Sequence, residues 1–247
     1  MAEIVSKAVV YRDGATELEG WIAFDSANPP KSGRPGILVI HDWTGLGGFV
    51  KEKTEALARL GYVAFGADIY GKGIRPSNPK DAGAESGKYK NDRALLRRRV
   101  NLGLDQLRVA AGVDRSRLAA IGFCFGGTSV LELARSGTPT AGVVSFHGGL
   151  DSPTPADARN IKGKILVLHG ADDPYVPATE VKAFEEEMRS AKVDWQMISY
   201  GGAVHSFTNK AAGNDNAKGA AYNAAADTRS WGHMRQFFDE VFRVAAE

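Results

Sequence analysis

The sequence predicts an α/β protein in which a mostly parallel central sheet carries helices on both faces. Short runs rich in Val, Ile, Leu and Phe alternate along the chain with segments of helical period. Most of these runs are apolar throughout, which is typical of strands that helices cover on both sides. A chain of 247 residues can bury the core of one large domain. We therefore expect a single domain over residues 1–247, although two smaller domains would also fit this length.

The N-terminal strands differ from the others. Ile4–Tyr11 and Leu18–Phe24 flank the turn residues Arg12–Gly14, so they are predicted to form a hairpin of antiparallel edge strands. The remaining predicted strands are Gly36–Ile40, Tyr62–Phe65, Leu118–Phe123, Gly142–Phe146, Lys164–His169 and Asp194–Tyr200.

Three apolar stripes predict helices that pack on this sheet. The second stripe, over 181–188, begins near Thr179, which is a suitable N-cap residue. The third stripe covers 231–241 near the C-terminus. In the helix of the first stripe, Arg97–Arg99 lie largely on the other faces, where we expect them to meet solvent. The first stripe consists of Leu96, Val100, Leu104, Leu107 and Ala111.

Two long polar stretches, Gly71–Asn91 and Gly201–Asp227, resist assignment to helix or strand. Connections of this length in compact domains are usually functional or mobile. Both stretches follow strands, and ligands of open α/β sheets bind beyond the carboxyl ends of strands.

Composition excludes several classes of function. The 31 basic and 29 acidic residues give a net charge of +2, so nothing indicates a nucleic acid or a charged membrane as partner. No apolar run approaches the ~18 residues of a spanning helix, and Met1–Lys7 lacks the features of a signal peptide. One cysteine excludes an intrachain disulfide and a cysteine metal cluster. We expect a cytoplasmic monomer or homodimer that acts on a small molecule.

The segment Ile121–Gly127 follows an apolar strand and precedes the helical stretch Thr128–Arg135. This is the context of a nucleophile elbow, with Cys124 in the place where serine is more common. Gly122 and Gly126 remove side chains that would clash in so sharp a turn, and the next glycine lets the helix approach the strand. The positive end of the helix would favour the reactive thiolate.

The sequence of this segment has two other interpretations. A cysteine in an apolar run is most often an inert core residue, and that alternative stays open. A dinucleotide-binding turn does not fit, because Cys124 occupies the place of the second glycine and no acidic residue lies near position 142.

Asp173 and His205 each follow a predicted strand. Nucleophile, acid and base occur in the chain order of α/β-hydrolases, and the spacing leaves room for a strand and a helix between each pair. His205 would take the thiol proton, and the carboxylate would orient the ring. Asp172 competes for the acid role, but Asp173 lies at the turn of its loop and is preferred.

The other histidines are weaker candidates. His41 and His147 end strands without a comparable neighbouring acid, His169 is expected to be buried and hydrogen-bonded, and His233 is expected to be structural.

The glycine-rich loop 41–48 follows the strand Gly36–Ile40. Such a loop can direct a backbone N–H at a developing oxyanion. The predicted donors are the N–H groups of Trp43 and of Phe125, the residue after the nucleophile. An ordinary strand–helix loop would look the same.

Taken together, four ordered motifs make this chain resemble the dienelactone hydrolase family: residues 41–46, 122–127, 170–177 and 204–207. The resemblance implies an α/β-hydrolase core without a large cap domain, no cofactor, and hydrolysis of lactones or small esters through an acyl-thioenzyme. It also implies a triad of Cys124, His205 and Asp173. Where family members carry a glutamate that helps to charge the resting cysteine, this chain has the shorter Asp42.

The substrate is less defined. Members that hydrolyse dienelactone bind its carboxylate with arginines, one of them shortly after the catalytic histidine, whereas residues 206–210 contain none. Arg75 or Arg93 could serve instead, or no carboxylate is bound. Four aromatic residues are candidates for an apolar pocket, and core packing explains each of them equally well: Tyr70, Phe123, Tyr175 and Phe207.

These observations favour a carboxylic-ester or lactone hydrolase. Two other functions stay open: a redox-active thiol, since an exposed thiolate is oxidised readily, and a ligand-binding member of the fold without catalytic activity.

Overall fold

A computed structural model describes residues 3–27, 30 and 32–243 of the chain. The chain forms two compact units, Met1–Ile121 and Gly122–Glu247. The single domain expected over residues 1–247 stays a prediction.

The strands of the first unit follow the order β1-β2-β4-β3-β5. Pairing is antiparallel between β1 and β2 and between β2 and β4, and parallel between β3 and β4. Strand β5 continues past Ile121, where the first unit ends, and stops just before Cys124. The bounds are β1 (Ile4–Asp13), β2 (Thr16–Asp25), β3 (Arg34–Ile40), β4 (Val63–Ala67) and β5 (Val113–Phe123).

The predicted N-terminal hairpin is present, with Asp13 paired to Thr16. Gly14 in its two-residue turn has φ 57°, a conformation that favours glycine. The expectation of two edge strands is wrong for β2, because Trp21–Ala23 also pair with β4. Of the two hairpin strands, only β1 lies at an edge of this order.

The helices of the first unit are α1 (Gly48–Arg59), α2 (Pro79–Asn91) and α3 (Arg93–Val109). Most of the predicted stripe of α3 is buried, but Ala111 lies beyond the end of the helix and is exposed. Arg99 is also not in solvent: it is 6% exposed, and its Nε donates to Asp13 Oδ2 at 2.7 Å. The carboxylate of the hairpin turn therefore pairs with a guanidinium that the local sequence pattern assigns to solvent.

The first stretch without an assignment contains α2. Asn78 caps this helix by accepting from the N–H of Asp81 at 3.0 Å, and Pro79 occupies its first turn. Its buried residues, Ala82, Ser86 and Tyr89, have helical spacing. Because two of the three are small or polar, they make no apolar stripe in the sequence.

The second unit has three parallel strands in the order β6-β7-β8. Helix α5 begins at Ala178 with Pro177 at the N-cap position, so the N-cap prediction for Thr179 is wrong. The bounds are β6 (Gly142–Phe146), β7 (Lys164–Gly170), β8 (Trp195–Tyr200), α4 (Phe125–Arg135), α5 (Ala178–Ala191) and α6 (Ala224–Val241).

The second unassigned stretch is also ordered into short elements. Single 3₁₀ turns form at Lys210–Ala212 and Asn216–Lys218, and Asn223 caps α6 by accepting from the N–H of Ala226 at 3.0 Å. Across the described ranges, no helix combines the length and the apolar character that crossing a bilayer requires.

A buried arginine hydrogen-bonds the segment that follows β6. Arg135 at the end of α4 has no exposed surface and forms ion pairs with Glu132 at 3.0 Å and Glu187 at 2.7 Å. Its guanidinium also donates to the carbonyl groups of Leu150 and Asp151 at 3.1 and 3.3 Å. Paired and hydrogen-bonded in this way, the buried charge holds the chain that follows His147 against α4 and α5.

Candidate active site

Cys124 has a strained backbone between β5 and α4. Its φ is 54° and its ψ is −115°, in a region that residues with a Cβ seldom adopt. Such strain persists only where the surroundings impose it, and it occurs preferentially at functional sites. The cysteine is half-buried and begins the first turn of α4, as a nucleophile elbow requires.

The glycines around Cys124 are sterically required. A Cβ on Gly122 would lie 2.0 Å from the carbonyl oxygen of Gly126. A Cβ on Gly127 would lie 2.6 Å from Ser145 Oγ and 2.7 Å from the Cα of Gly148. The first glycine therefore permits the turn, and the second lets α4 pack closely on the end of β6.

The structure brings Asp173 and His205 together. Asp173 Oδ2 lies 2.7 Å from His205 Nδ1, and the carboxylate is almost fully buried. Its other oxygen accepts from the N–H of Tyr175 at 2.9 Å, which fixes its orientation. The competing Asp172 is exposed and accepts from the N–H of Gly202 at 2.9 Å. Of the two acids, Asp173 is the one in contact with the imidazole.

Residues that follow β8 hydrogen-bond both the N–H and the carbonyl of His205. The N–H of His205 donates to the carbonyl of Gly219 at 3.2 Å, and its own carbonyl accepts from Ala221 at 3.0 Å. The ring of Tyr175 meets the imidazole edge-on, with centroids 5.3 Å apart. The stretch 201–227, which the sequence leaves without an assignment, therefore fixes the backbone position of His205.

The pKa of His205 depends on its burial and on its two partners, Asp173 and Cys124. Burial by itself lowers the pKa of His205, because it penalises the imidazolium. The negative charge of Cys124, the hydrogen bonds to Asp173 and Cys124, and the charge of Asp173 outweigh burial and raise this pKa from 6.5 to about 10. Both partners thus favour the protonated form of His205.

His147 contacts the same cysteine, although the sequence pattern makes it a weak candidate. The N–H of Cys124 donates to His147 Nδ1 at 3.2 Å, and Nε2 lies 2.8 Å from Thr208 Oγ1. The residue is buried and has φ 40°. The available signal in the sequence was its position directly after β6, followed by Gly148 and Gly149.

The loop that begins at His41 belongs to the first unit. Asp42 is 9% exposed, and its Oδ1 accepts from the N–H of Thr44 at 2.8 Å and from its hydroxyl at 2.5 Å. The side chain of Asp42 thus closes a local turn, and Trp43 within that turn is 38% exposed. Phe125, the other predicted oxyanion donor, is the first residue of α4. The roles assigned to these three residues stay predictions.

The predicted pocket aromatics lie in different surroundings. Phe123 and Phe207 have no exposed surface, and Tyr70 is 2% exposed. Phe123 stacks on Phe146 with centroids 4.8 Å apart, and the hydroxyl of Tyr70 donates to the carbonyl of Trp43 at 3.1 Å. These three rings pack in the interior and offer no surface to a substrate, contrary to the expectation of a pocket. Tyr175 is 59% exposed beside His205 and stays a candidate.

The remaining histidines have structural surroundings. His41 is fully buried between the carbonyl of Asp42 and the N–H of Ile69. His233 Nδ1 lies 2.8 Å from the Tyr200 hydroxyl. His169 is buried as expected, but its Nδ1 has no hydrogen-bond partner, so the expectation of full hydrogen bonding is wrong. Its pKa is lowered by burial.

No metal centre is indicated in the part of the chain that the structure describes. No group of three or more His, Cys, Asp or Glu side chains there is arranged to hold a metal ion.

Strands joined by helices, a strained cysteine at a strand–helix turn and an acid–histidine pair define the class of α/β-hydrolase fold enzymes. The sequence model of the dienelactone hydrolase family matches residues 23–242. The chain belongs to the dienelactone hydrolase family. The predictions of the fold class, of the family and of an ester or lactone hydrolase are confirmed.

Known proteins resemble this chain over most of its length. A dienelactone hydrolase-like promiscuous phosphotriesterase from metagenomic libraries has 41% identity and a TM-score of 0.91, with 98% of this chain and 100% of that chain covered. An uncharacterized protein of Caenorhabditis elegans is 37% identical, over 60% of this chain and 94% of its own length. An Aquifex aeolicus protein named carboxymethylenebutenolidase is 28% identical, over 83% and 88% of the two chains.

Proposed function

We propose that this protein hydrolyses carboxylic esters or lactones with Cys124 as nucleophile, His205 as general acid and base, and Asp173 as the residue that orients the imidazole. The observation that carries the proposal is the 2.7 Å contact between the buried carboxylate of Asp173 and His205. The effect of Cys124, which raises the pKa of His205, supports it. An imidazolium beside a thiolate is the resting state that suits attack by sulfur.

The reaction has two stages. The Cys124 sulfur attacks the carbonyl carbon, the bond from that carbon to the alkoxide breaks, and His205 gives its proton to the leaving alkoxide. His205 then takes a proton from water, the resulting hydroxide attacks the acyl-thioenzyme, and the carbon–sulfur bond breaks. The products are a carboxylate and an alcohol, or one hydroxy acid from a lactone. The N–H of Phe125, at the positive end of α4, would stabilise the oxyanion.

Neutral acyl compounds are the expected substrates. Residues 206–210, directly after His205, contain no arginine to bind a substrate carboxylate. The guanidinium of Arg75 is occupied within the first unit, where its Nε donates to the carbonyl of Leu46 at 2.6 Å and Asp68 lies 3.6 Å away. A panel of neutral esters, neutral lactones and carboxylate-bearing lactones would test this expectation, and preference for the anionic members would contradict it.

The test of the nucleophile compares Cys124→Ala and Cys124→Ser with the wild type on nitrophenyl esters and lactones. We expect the alanine variant to lose at least about 10³-fold in kcat/KM, because the acyl-enzyme route is removed. Mass spectrometry of the wild type during turnover should detect the acyl group on Cys124. Unchanged turnover in the alanine variant would contradict the proposal.

The same samples test the two alternatives. Consumption of peroxide with formation of sulfenic acid, without ester cleavage, would favour a redox-active thiol. Rapid alkylation of Cys124 without hydrolysis of any acyl compound would favour a binding protein. The cytoplasmic location and the monomeric or homodimeric state stay predictions, which fractionation and light scattering would check.

Hydrolysis of phosphotriesters is a second candidate activity. It is favoured by the likeness to the metagenomic phosphotriesterase, which extends over 98% of this chain at 41% identity. In that reaction the Cys124 sulfur attacks phosphorus, an aryloxide leaves, and water then cleaves the phosphorus–sulfur bond. Release of nitrophenolate from diethyl 4-nitrophenyl phosphate by the wild type, and its absence with Cys124→Ala, would establish the activity.

A further inference from the structure

The imidazole of His147 lies between the nucleophile turn and the segment that follows His205. Its Nδ1 is 3.2 Å from the backbone nitrogen of Cys124, whose N–H also donates to the carbonyl of Phe146 at 3.0 Å. Its Nε2 is 2.8 Å from Thr208 Oγ1. Both His147 and Thr208 are almost fully buried, at 2% and 3% exposed.

The contact with Cys124 determines the tautomer of this ring. A backbone N–H can only donate, so Nδ1 of His147 must accept, and the ring proton must lie on Nε2. Nε2 then donates to Thr208 Oγ1. By accepting from Nε2, the Thr208 hydroxyl stabilises the tautomer in which Nδ1 is the acceptor.

Ring contacts extend this arrangement to the proposed general base. The imidazoles of His147 and His205 meet edge-on, with centroids 5.4 Å apart. Phe207 packs against His147 with centroids 5.0 Å apart. The segment 205–208 thus contacts the nucleophile turn through a second route, separate from the contact between His205 and the sulfur.

We propose that His147 is a positioning residue: it holds the backbone of Cys124 in its strained conformation and sets the distance between the sulfur and His205. The inference rests on the proposed function, because it concerns the same nucleophile. It adds a role for a histidine whose two ring nitrogens lie within hydrogen-bond distance of the backbone of Cys124 and of Thr208. Catalysis depends steeply on such placement, since a displacement of about 1 Å can cost about 10²-fold in rate.

Two substitutions separate the functions of the two ring nitrogens. His147→Asn places an amide oxygen close to the position of Nδ1, so it can still accept from Cys124, and asparagine tolerates the positive φ. His147→Gln places its amide group near the position of Nε2, so it retains the contact with Thr208 and loses the one with Cys124. Thr208→Val removes the hydroxyl that accepts from Nε2 and keeps the volume of the side chain.

The experiment measures kcat and KM for a nitrophenyl ester, the rate of Cys124 alkylation by iodoacetamide, and the thermal midpoint. We expect His147→Asn to remain within about threefold of the wild type in kcat, and His147→Gln to lose about 10²-fold with little change in KM. Thr208→Val should fall between them. Alkylation should follow the same order. His233→Gln is the matched control, since that histidine also bonds one hydroxyl, that of Tyr200.

Equal rates for the asparagine and glutamine variants would overturn the inference, as would losses confined to KM or matched by the control. If the wild type cleaves no ester, the proposed function fails, but the order of the alkylation rates still decides the role of His147. If a variant at position 147 does not fold, Thr208→Val decides: slower alkylation with an unchanged thermal midpoint supports the inference, and an unchanged rate overturns it.

Discussion

His41 in the first unit and His205 in the second are buried or nearly buried histidines that follow β-strands. Their pKa values are shifted in opposite directions. His41 lies between the carbonyl of Asp42 and the N–H of Ile69, and burial lowers its pKa. His205 lies between the carboxylate of Asp173 and the sulfur of Cys124, and its pKa is raised to about 10.

The difference lies in what each ring meets. Burial acts against the charged form of both histidines. Around His41 the hydrogen-bond partners described above are backbone groups, and the charges of Asp68 and Asp42 raise its pKa by less than burial lowers it. Around His205 the carboxylate of Asp173 and the sulfur of Cys124 favour the protonated ring, and together they outweigh burial. Hydrogen bonding alone therefore does not identify a catalytic histidine, whereas charged partners on both sides make it a candidate.

The largest expected effect comes from removing the acidic partner of His205. Asp173→Asn should lower kcat by about 10⁴-fold, because the neutral amide neither fixes the tautomer nor stabilises the imidazolium. Steady-state kinetics on a nitrophenyl ester measure this change. Asp172→Asn is the matched control and should stay within about twofold, since that side chain is exposed and contacts the N–H of Gly202. Equal losses in both variants would contradict the assignment of the acid.

Removing the sulfur should make His205 more like His41. Cys124→Ala eliminates the charge that does most to raise the pKa of His205, so the pKa should fall from about 10 toward 6.5. The imidazolium would then lose its proton at a lower pH than in the wild type. Titration of the ring by NMR measures the shift directly, and an unchanged pKa would mean that the thiolate is not the principal partner.

A smaller effect is expected at His41. His41→Leu leaves the N–H of Ile69 without its acceptor, which should cost about 1–3 kcal/mol of unfolding free energy. Chemical denaturation measures this loss. The pH dependence of Cys124 alkylation should keep its midpoint, because His41 is held as a neutral structural residue. If the midpoint moves, the contrast between the two histidines does not hold.

Much of the fold could be predicted because its signals are local. The strand Gly142–Phe146 was predicted with the observed bounds, and the elbow at Cys124 follows from glycines whose necessity is steric. Asp173 and His205 were paired from their order and their positions after strands. Helix α2 could not be predicted in the same way, because its buried positions are occupied by Ala82, Ser86 and Tyr89 rather than by aliphatic side chains.

Contacts between distant segments are the part that the linear pattern does not contain. Turns, caps and strand–helix boundaries depend on atoms a few residues apart, so the amino-acid order alone suffices to locate the strained cysteine. The burial of Arg99 against Asp13 and the bond from Cys124 to His147 join segments far apart in the chain. Whether a guanidinium meets solvent or a carboxylate, and which ring nitrogen carries a proton, follows from what packing places beside each group.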